Sequence, residues 1–334
     1  MFINDKRRAR AVVIRAIRDF FHDAAFIETD TPSLVLSPGM EPHIRPLQIH
    51  NSQAYLPTSP EFAMKRLLSL GYDRIFQVCK AYRLEPKSTT HNPEFTMLEW
   101  YRANSGYEAI MDDVENLFKH ISKELHAGTK FATPNGNQDV GTPWVRLTVE
   151  ECFRRFAKLR LTELLTLEAM TDVCIKKGYI STGSTSTWDD LFFRVMMNDV
   201  EPELAKLGTP IIVYHYPESQ AALSNIITDD RGFRWAKRFE VYAGGLELGN
   251  AFDELTDVTE QRRRFEKDMK LRKELYGDEF APSPIDESFL KALEKMPASG
   301  GIAMGVDRIV MYFTGAESID DVLWLPSYFS KETV

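Results

Sequence analysis

The chain has 334 residues and a formal net charge of −8, long enough to bury a large core as one big domain or two. Hydrophobic residues make up 43% and charged residues 27%, the balance of a soluble globular protein, and no apolar run reaches the roughly 18 residues that a transmembrane helix needs. The acidic balance argues against a protein whose main business is a nucleic-acid backbone, which calls for clustered Lys and Arg. Cys79, Cys152 and Cys174 form no CxxC pair and no even-numbered framework, so a reducing cytoplasm is expected.

In chain order, Asp5 to Ala24 reads as a helix capped by Asn4. Val13, Ile17, Phe20, Phe21 and Ala24 form a stripe at helical spacing, suited to core or to a subunit interface. Charges at Arg15, Arg18 and Asp19 interrupt it, which excludes a targeting peptide. Phe26 to Leu36 reads as a short strand whose Pro32 suits a sheet edge. Ser59-Pro60-Glu61 opens a second helix, with Ser59 as cap and Pro60 in the first helical position. Ser105 and Glu108 read as a capping box for a long helix, and Thr148 with Glu151 repeats the pattern. Gly128 to Trp144 is turn-rich, a surface loop or small hairpin. Residues 150–208 are expected to be wholly helical, an insertion within one domain spanning 1–334, because strands resume at Pro210.

Two hairpins carry the unusual chemistry. The first has arms Ile75 to Arg83 and Phe95 to Tyr101. Alternation puts Phe95, Met97, Glu99 and Tyr101 on one face. A carboxylate between a Met and a Tyr on an apolar face is costly without a partner, so this face reads as a wall that binds something cationic or polar. Gly244-Gly245 turns the second hairpin, Arg238 to Phe252, because both residues tolerate positive φ. Glu240 and Glu247 flank that turn, a pair of hard oxygen ligands of the kind that holds Mg²⁺ together with substrate phosphates. Just beyond, Asn250, Phe252 and Glu254 share a face if the chain stays extended, and an amide, a ring and an acid suit an amino group on an aliphatic stem. Gly300 to Arg308 is a glycine-spaced strand entering a helix, followed by an arginine suited to phosphate. It is neither a Walker-A loop nor a Rossmann fingerprint.

Taken in order, a helix and Pro-bearing strand, Tyr82-Arg83-Leu84-Glu85 leading into a hairpin, and Gly305-Val306-Asp307-Arg308 resemble motifs 1, 2 and 3 of class II aminoacyl-tRNA synthetases. His91-Asn92-Pro93-Glu94-Phe95-Thr96-Met97, Gly249 to Leu255 and Ile319 to Pro326 resemble the lysyl branch of that class, and the likeness covers nearly the whole chain. It departs in two places. Motif 1 begins at about the first residue, so the N-terminal OB-fold that binds the anticodon is expected to be absent. Gly301-Ile302-Ala303-Met304-Gly305 also stands where the synthetases run Gly-Leu-Gly-Ile-Gly. In both respects the chain is similar to lysyl-tRNA synthetase paralogues that attach lysine, preferentially (R)-β-lysine, to a lysine of elongation factor P.

The resemblance implies an α+β fold, an antiparallel sheet flanked by helices, and an ATP-dependent enzyme using Mg²⁺. It assigns catalysis to Arg83, on the α-phosphate and substrate carboxylate, and to Arg308, on the γ-phosphate. Phe95 would stack on adenine, Glu85 or nearby backbone would read its amino group, and His91 and Asn92 would line the phosphates. Leu84, Glu247, Leu248 and Gly305 complete the ATP set, and Glu240 and Glu247 would hold the metal. Ser59, Pro60, Glu61, Glu99, Tyr101, Asn250, Phe252, Glu254 and Ala303 would form the amino-acid pocket. A homodimer built through motif 1 is expected, with no membrane partner and tRNA disfavoured. The alternatives are a truncated lysyl-tRNA synthetase acting on tRNA and a non-catalytic dimer or binding module. Retention of Arg83, Glu240, Glu247 and Arg308 together argues against the second.

Overall fold

The computed structural model describes residues 5–133, 136–183, 185–277 and 284–325; Asn4 and Pro326, singled out above, lie outside them. Helix α1 (Lys6–Asp23) is capped by Asp5, whose side chain accepts from the amides of Arg7 and Arg8. Val13, Ile17 and Phe21 are fully buried within the protomer, so this stripe is core. The strand expected over Phe26 to Leu36 shrinks to β1 (Ile27–Glu28). Pro32 has no N–H to give a ladder, and beyond it Val35 makes only an isolated bridge to Tyr55. Helix α2 (Glu61–Ser69) starts one residue later than Ser59 as cap would place it. The Ser59 hydroxyl still accepts from the Glu61 amide at 3.0 Å, but it is also drawn onto Glu99.

Strands β2 (Arg74–Tyr82) and β3 (Glu94–Ala103) form the first hairpin, with Gln77 opposite Glu99. Helix α3 (Tyr107–His126) takes Gly106 as its N-cap, without a side-chain cap bond, and not Ser105. The Glu108 carboxylate lies where a Cβ on Gly106 would be, which favours glycine at that position. A small separate hairpin, β4 (Lys130–Thr133) with β5 (Gly136–Asp139), precedes β6 (Val145–Thr148). The Thr148–Glu151 capping box forms and opens α4 (Val149–Cys152). Then come α5 (Leu167–Lys176), α6 (Trp188–Val195) and α7 (Glu201–Leu204), separated by π-helical and 3₁₀ turns.

Strands β7 (Ile211–Pro217), β8 (Ile226–Thr228), β9 (Arg234–Ala243) and β10 (Leu246–Asp253) follow. Gly244 and Gly245 have φ of 59° and 81°, the turn read from the sequence. Helices α8 (Val258–Tyr276) and α9 (Glu287–Leu293) lead to β11 (Ser299–Gly305) and α10 (Val306–Thr314). Among the described residues these strands form a nine-stranded sheet in the order β1-β2-β3-β11-β10-β9-β7-β6, with β8 on β9. Only β1–β2 and β6–β7 pair in parallel, so the class is α+β, as the sequence implied. No helix among the described residues is long and apolar enough to cross a membrane.

Three apolar clusters position the site. Leu98, Trp100 and Phe76 point to one sheet face and pack with α1, α3 and α10. The other face is covered at one end by α4 to α7 on β7 and β9, and at the other by α2, α8 and α9 around Ile75 and Tyr101. Between those two covers lie the middle strands, β3, β11, β10 and β9, and there the polar residues collect.

Candidate active site

Sheet register builds the floor. Glu99 is opposite Ala303, Ala303 opposite Asn250, and Asn250 opposite Glu240. In the adjoining row Tyr101 is opposite Gly301, Gly301 opposite Phe252, and Phe252 opposite Arg238. Directly opposed residues share a face, so eight positions from four strands form one patch. Gly301 is glycine for a steric reason: a Cβ there would overlap the Tyr101 ring and the Glu254 carboxylate.

Glu99 is fully buried. Its two described partners are hydroxyls, Ser59 Oγ at 2.5 Å and Tyr101 Oη at 2.9 Å. Burial, and then the nearby Glu61 carboxylate, push it up to about 8. Glu254, 1% exposed, is also pushed up to about 8, by burial with Glu61 adding, against the pull of Lys65. Glu61 is raised by burial and by Glu41, with Lys65 opposing. Lys65 joins these acids: its ammonium lies 2.5 Å from Glu61 and 2.6 Å from Glu254, with no solvent at its side chain. Burial works against that charge, but Glu254 and Glu61 outweigh it and hold Lys65 above its ordinary value. Pro60 is buried behind them.

At the far end of the floor, Asn250 accepts from Arg238 Nε at 2.9 Å. Arg238 also pairs with Glu240 and lies over the rings of Tyr216 and Phe252 at 4.6 and 5.9 Å. Glu240 is 4% exposed, and its second oxygen accepts from Tyr216 and Tyr242 at 2.5 and 2.6 Å. Glu247 is exposed at the turn end of β10. The Glu240 charge nearby raises Glu247, while Arg308 and Arg238 pull it down.

The side expected to take the nucleotide is more open. Arg83 donates to the Thr58 carbonyl at 3.4 Å and lies 5.2 Å from the centre of the Phe95 ring. Leu84 and Glu85 continue the loop, the Leu84 amide held by the Arg45 carbonyl at 2.7 Å. Arg308 reaches across to this loop, donating to the Thr90 carbonyl at 3.2 Å and to the Glu247 carbonyl at 2.9 Å. Its third contact, His91 Nε2 at 2.7 Å, requires an unprotonated acceptor nitrogen. Partial burial and then Arg308 itself lower His91, which keeps the ring neutral. Asn92 donates to the Glu94 carbonyl at 2.6 Å, while its Oδ1 is buried without a partner among the described residues. Leu248 is buried at a register shift between Glu247 and Gly249, and Gly305 joins β11 to α10. Beneath the loop, Asp307 pairs with buried Arg10 of α1 and accepts from the Thr96 amide at 2.8 Å, while Arg10 also donates to Thr96 Oγ1 at 2.7 Å.

The residues expected in the amino-acid pocket thus converge, and Arg83 and Arg308 stand beside them at one end of the β2–β3 hairpin. Glu240 differs from expectation in its surroundings: both oxygens serve protein donors, so of the expected metal pair only Glu247 presents an open carboxylate. Among the described residues no group of three or more His, Cys, Asp or Glu is arranged to hold a metal. Sequence reasoning missed Lys65, Arg238, Tyr216 and Tyr242. Lys65 had a signal, since it follows Glu61 by four residues on one helix, but nothing local announced its burial.

A mainly antiparallel sheet flanked by helices, with an acid-lined patch on its middle strands, Arg83 just past β2 and Arg308 in α10, agrees with the class II synthetase fold that the sequence resemblance implied. The chain matches the family described as tRNA synthetases class II (D, K and N) over residues 3–328, and it belongs to that family. Among its relatives is an elongation factor P–(R)-β-lysine ligase of Edwardsiella ictaluri, 36% identical, the match covering 94% of this chain and 92% of that protein. Ligases of the same name from Pseudoalteromonas translucida and Sodalis glossinidius are also 36% identical, over 95% and 94% of this chain and 93% and 92% of theirs. The relatives are named as ligases, and the protein is an ATP-dependent enzyme of that kind.

Proposed function

We propose that the protein activates lysine or (R)-β-lysine as an aminoacyl adenylate and transfers it to a lysine side chain of elongation factor P. The observation that carries this reading is the buried Glu99, held by two hydroxyls on a floor shared with Glu254 and lacking a cation of its own. Such an anion calls for a substrate ammonium. Arg83 sits next to it in the chain's own architecture, since the carbonyl it holds belongs to Thr58, the neighbour of Ser59.

In the first step the amino-acid carboxylate attacks the α-phosphorus of ATP and pyrophosphate leaves, which requires no general base. The task is to bring anions together and hold them in line. Arg83 would neutralise the α-phosphate and substrate carboxylate, and Arg308 the terminal phosphates, each pre-oriented by backbone carbonyls so that little reorganisation is needed at reaction. Phe95 would carry adenine, beside Glu85 and Leu84. In the second step an acceptor amine, having lost its proton, attacks the adenylate carbonyl and AMP leaves.

Mg²⁺ arriving with ATP fits the hard oxygen of Glu247, the phosphates completing its ligands. Glu240 would join only by giving up a tyrosine hydroxyl, and is better read as the anchor of Arg238. When bound, the ion would supply charge neutralisation at the phosphates. Ala303 lies between Glu99 and Asn250 on the floor, where one methyl group can bias the position of the first amino group and so favour a β- over an α-amino acid.

The test is intact-mass measurement of elongation factor P after incubation with the protein, ATP and each lysine isomer. A mass gain of one lysyl residue is expected. Pyrophosphate exchange with lysine but no modified elongation factor P would remove the acceptor, and charging of tRNA in the same assay would replace it.

A further inference from the structure

Four ionisable side chains meet at one end of the pocket, and in their ionised forms their charges do not balance. Glu61, Glu99 and Glu254 are three carboxylates, and among the described residues Lys65 is the one ammonium in contact with any of them. Three negative charges against one positive leave two. Lys65 takes one oxygen each from Glu61 and Glu254, which fixes those carboxylates on either side of its ammonium and leaves their other oxygens free of it.

We propose that Lys65 is a specificity-determining residue, an internal counter-ion that sets the pocket's charge at two and so matches it to an amino acid bearing two ammonium groups. This rests on the ligase reading and names the substrate class by charge: any diamino acid of suitable length, of either isomer, with its carboxylate directed to Arg83. Without substrate the imbalance is met by protons, because a buried carboxylate that lacks a cation takes up a proton. The elevated positions of Glu99 and Glu254, both about 8, agree with this. The other charged or titratable groups facing them are Glu41 beside α2, Arg83 and Cys79 from β2 and its end, and Tyr101 on β3. Binding is then an exchange: two ammonium groups enter and carboxyl protons leave to the buffer.

Two measurements on the full chain test it. Calorimetry of lysine binding at pH 7 in phosphate and in Tris counts the protons released, and at least about one per lysine is expected; none overturns the proposal. In pyrophosphate exchange, 1/KM for lysine should rise as pH climbs toward 8. In Lys65→Met the rise should move to higher pH, because a cation that favoured the ionised acids is gone, while Lys65→Arg should restore it. A Lys65→Met profile superimposable on wild type, after correction for active fraction, also overturns it. If Lys65→Met does not fold, the wild-type proton count decides. Failure of every diamino acid to bind or exchange would instead sink the ligase reading and this proposal with it; lysine exchange without proton release sinks this proposal alone.

Discussion

The two halves of the site are built on opposite electrostatic plans. The half proposed for the amino acid is closed, acid-rich and made of side chains packed on side chains, with Glu99 and Lys65 fully buried and Gly301 lacking even room for a methyl. The half proposed for the nucleotide is open and cationic, and Arg83 and Arg308 rest largely on backbone carbonyls. A small substrate must be told apart from close analogues, which requires rigid, desolvated contacts. A triphosphate needs chiefly charge and alignment, and neutral carbonyls can hold an arginine without cancelling its charge. Selectivity and catalysis are therefore separable here, and substitutions should fall on one side or the other.

The largest effect is expected from Arg83→Ala, which removes a pre-oriented cation at the reacting phosphate. A loss of about 10²–10³-fold in the exchange rate follows from the usual value of such a group; a variant within threefold of wild type would mean that the phosphate lies elsewhere. Gly301→Ala should act on the other half. Its Cβ must displace Tyr101 or Glu254 at a cost of about 1–3 kcal/mol, so KM for lysine should rise steeply while KM for ATP stays put. Equal changes in both constants would break the division.

The acid pocket also leaves a mark on stability. Glu99 and Glu254 have folded values near 8, raised from about 4.5, so the folded state binds more protons than the unfolded one. Their stabilisation is fully present below about pH 4.5 and is lost as pH rises through about 8. Thermal melts of the unliganded protein should fall across that window, Glu99→Gln should flatten the slope, and lysine should offset the loss. A melting temperature that climbs from pH 6 to 8 would contradict the sign. The smallest effect is expected of Ala303→Gly: the ratio of (R)-β-lysine to α-lysine exchange should shift by about tenfold, within the range of one methyl group, and an unchanged ratio would leave Ala303 without a part in isomer choice.

Much of this division was readable from the sequence. The Gly244-Gly245 turn, the Thr148–Glu151 box and the alternation that places Glu99 beside Tyr101 are local patterns, and the structure keeps them. Helix starts were placed less well. Ser59 and Ser105 carry good capping chemistry, but the Ser59 hydroxyl also donates to Glu99 and the cap of α3 falls on Gly106, one residue past Ser105. The surroundings of Glu240 could not be read locally, because Tyr216, which donates to it, lies on another strand. Lys65 was passed over for the same reason: Glu254 approaches it from a distant part of the chain. Partners supplied by tertiary structure are invisible to spacing rules.

The Arg10–Asp307 pair has a consequence for the order in which the enzyme comes into being. It joins residues 297 positions apart, the first helix of the chain to the last, and Thr96 and Asp307 are the sequence neighbours of Phe95 and Arg308. A chain emerging from the ribosome can complete the β2–β3 hairpin early, yet it cannot seat the nucleotide-side arginine until nearly all of it has been made. Contacts of such long sequence separation form late and slowly. Activity should therefore appear as a final event in refolding, after the hairpins are protected from hydrogen exchange, and a chain that stops short of α10 should lose both Arg308 and the buried side chains that cover one face of the sheet.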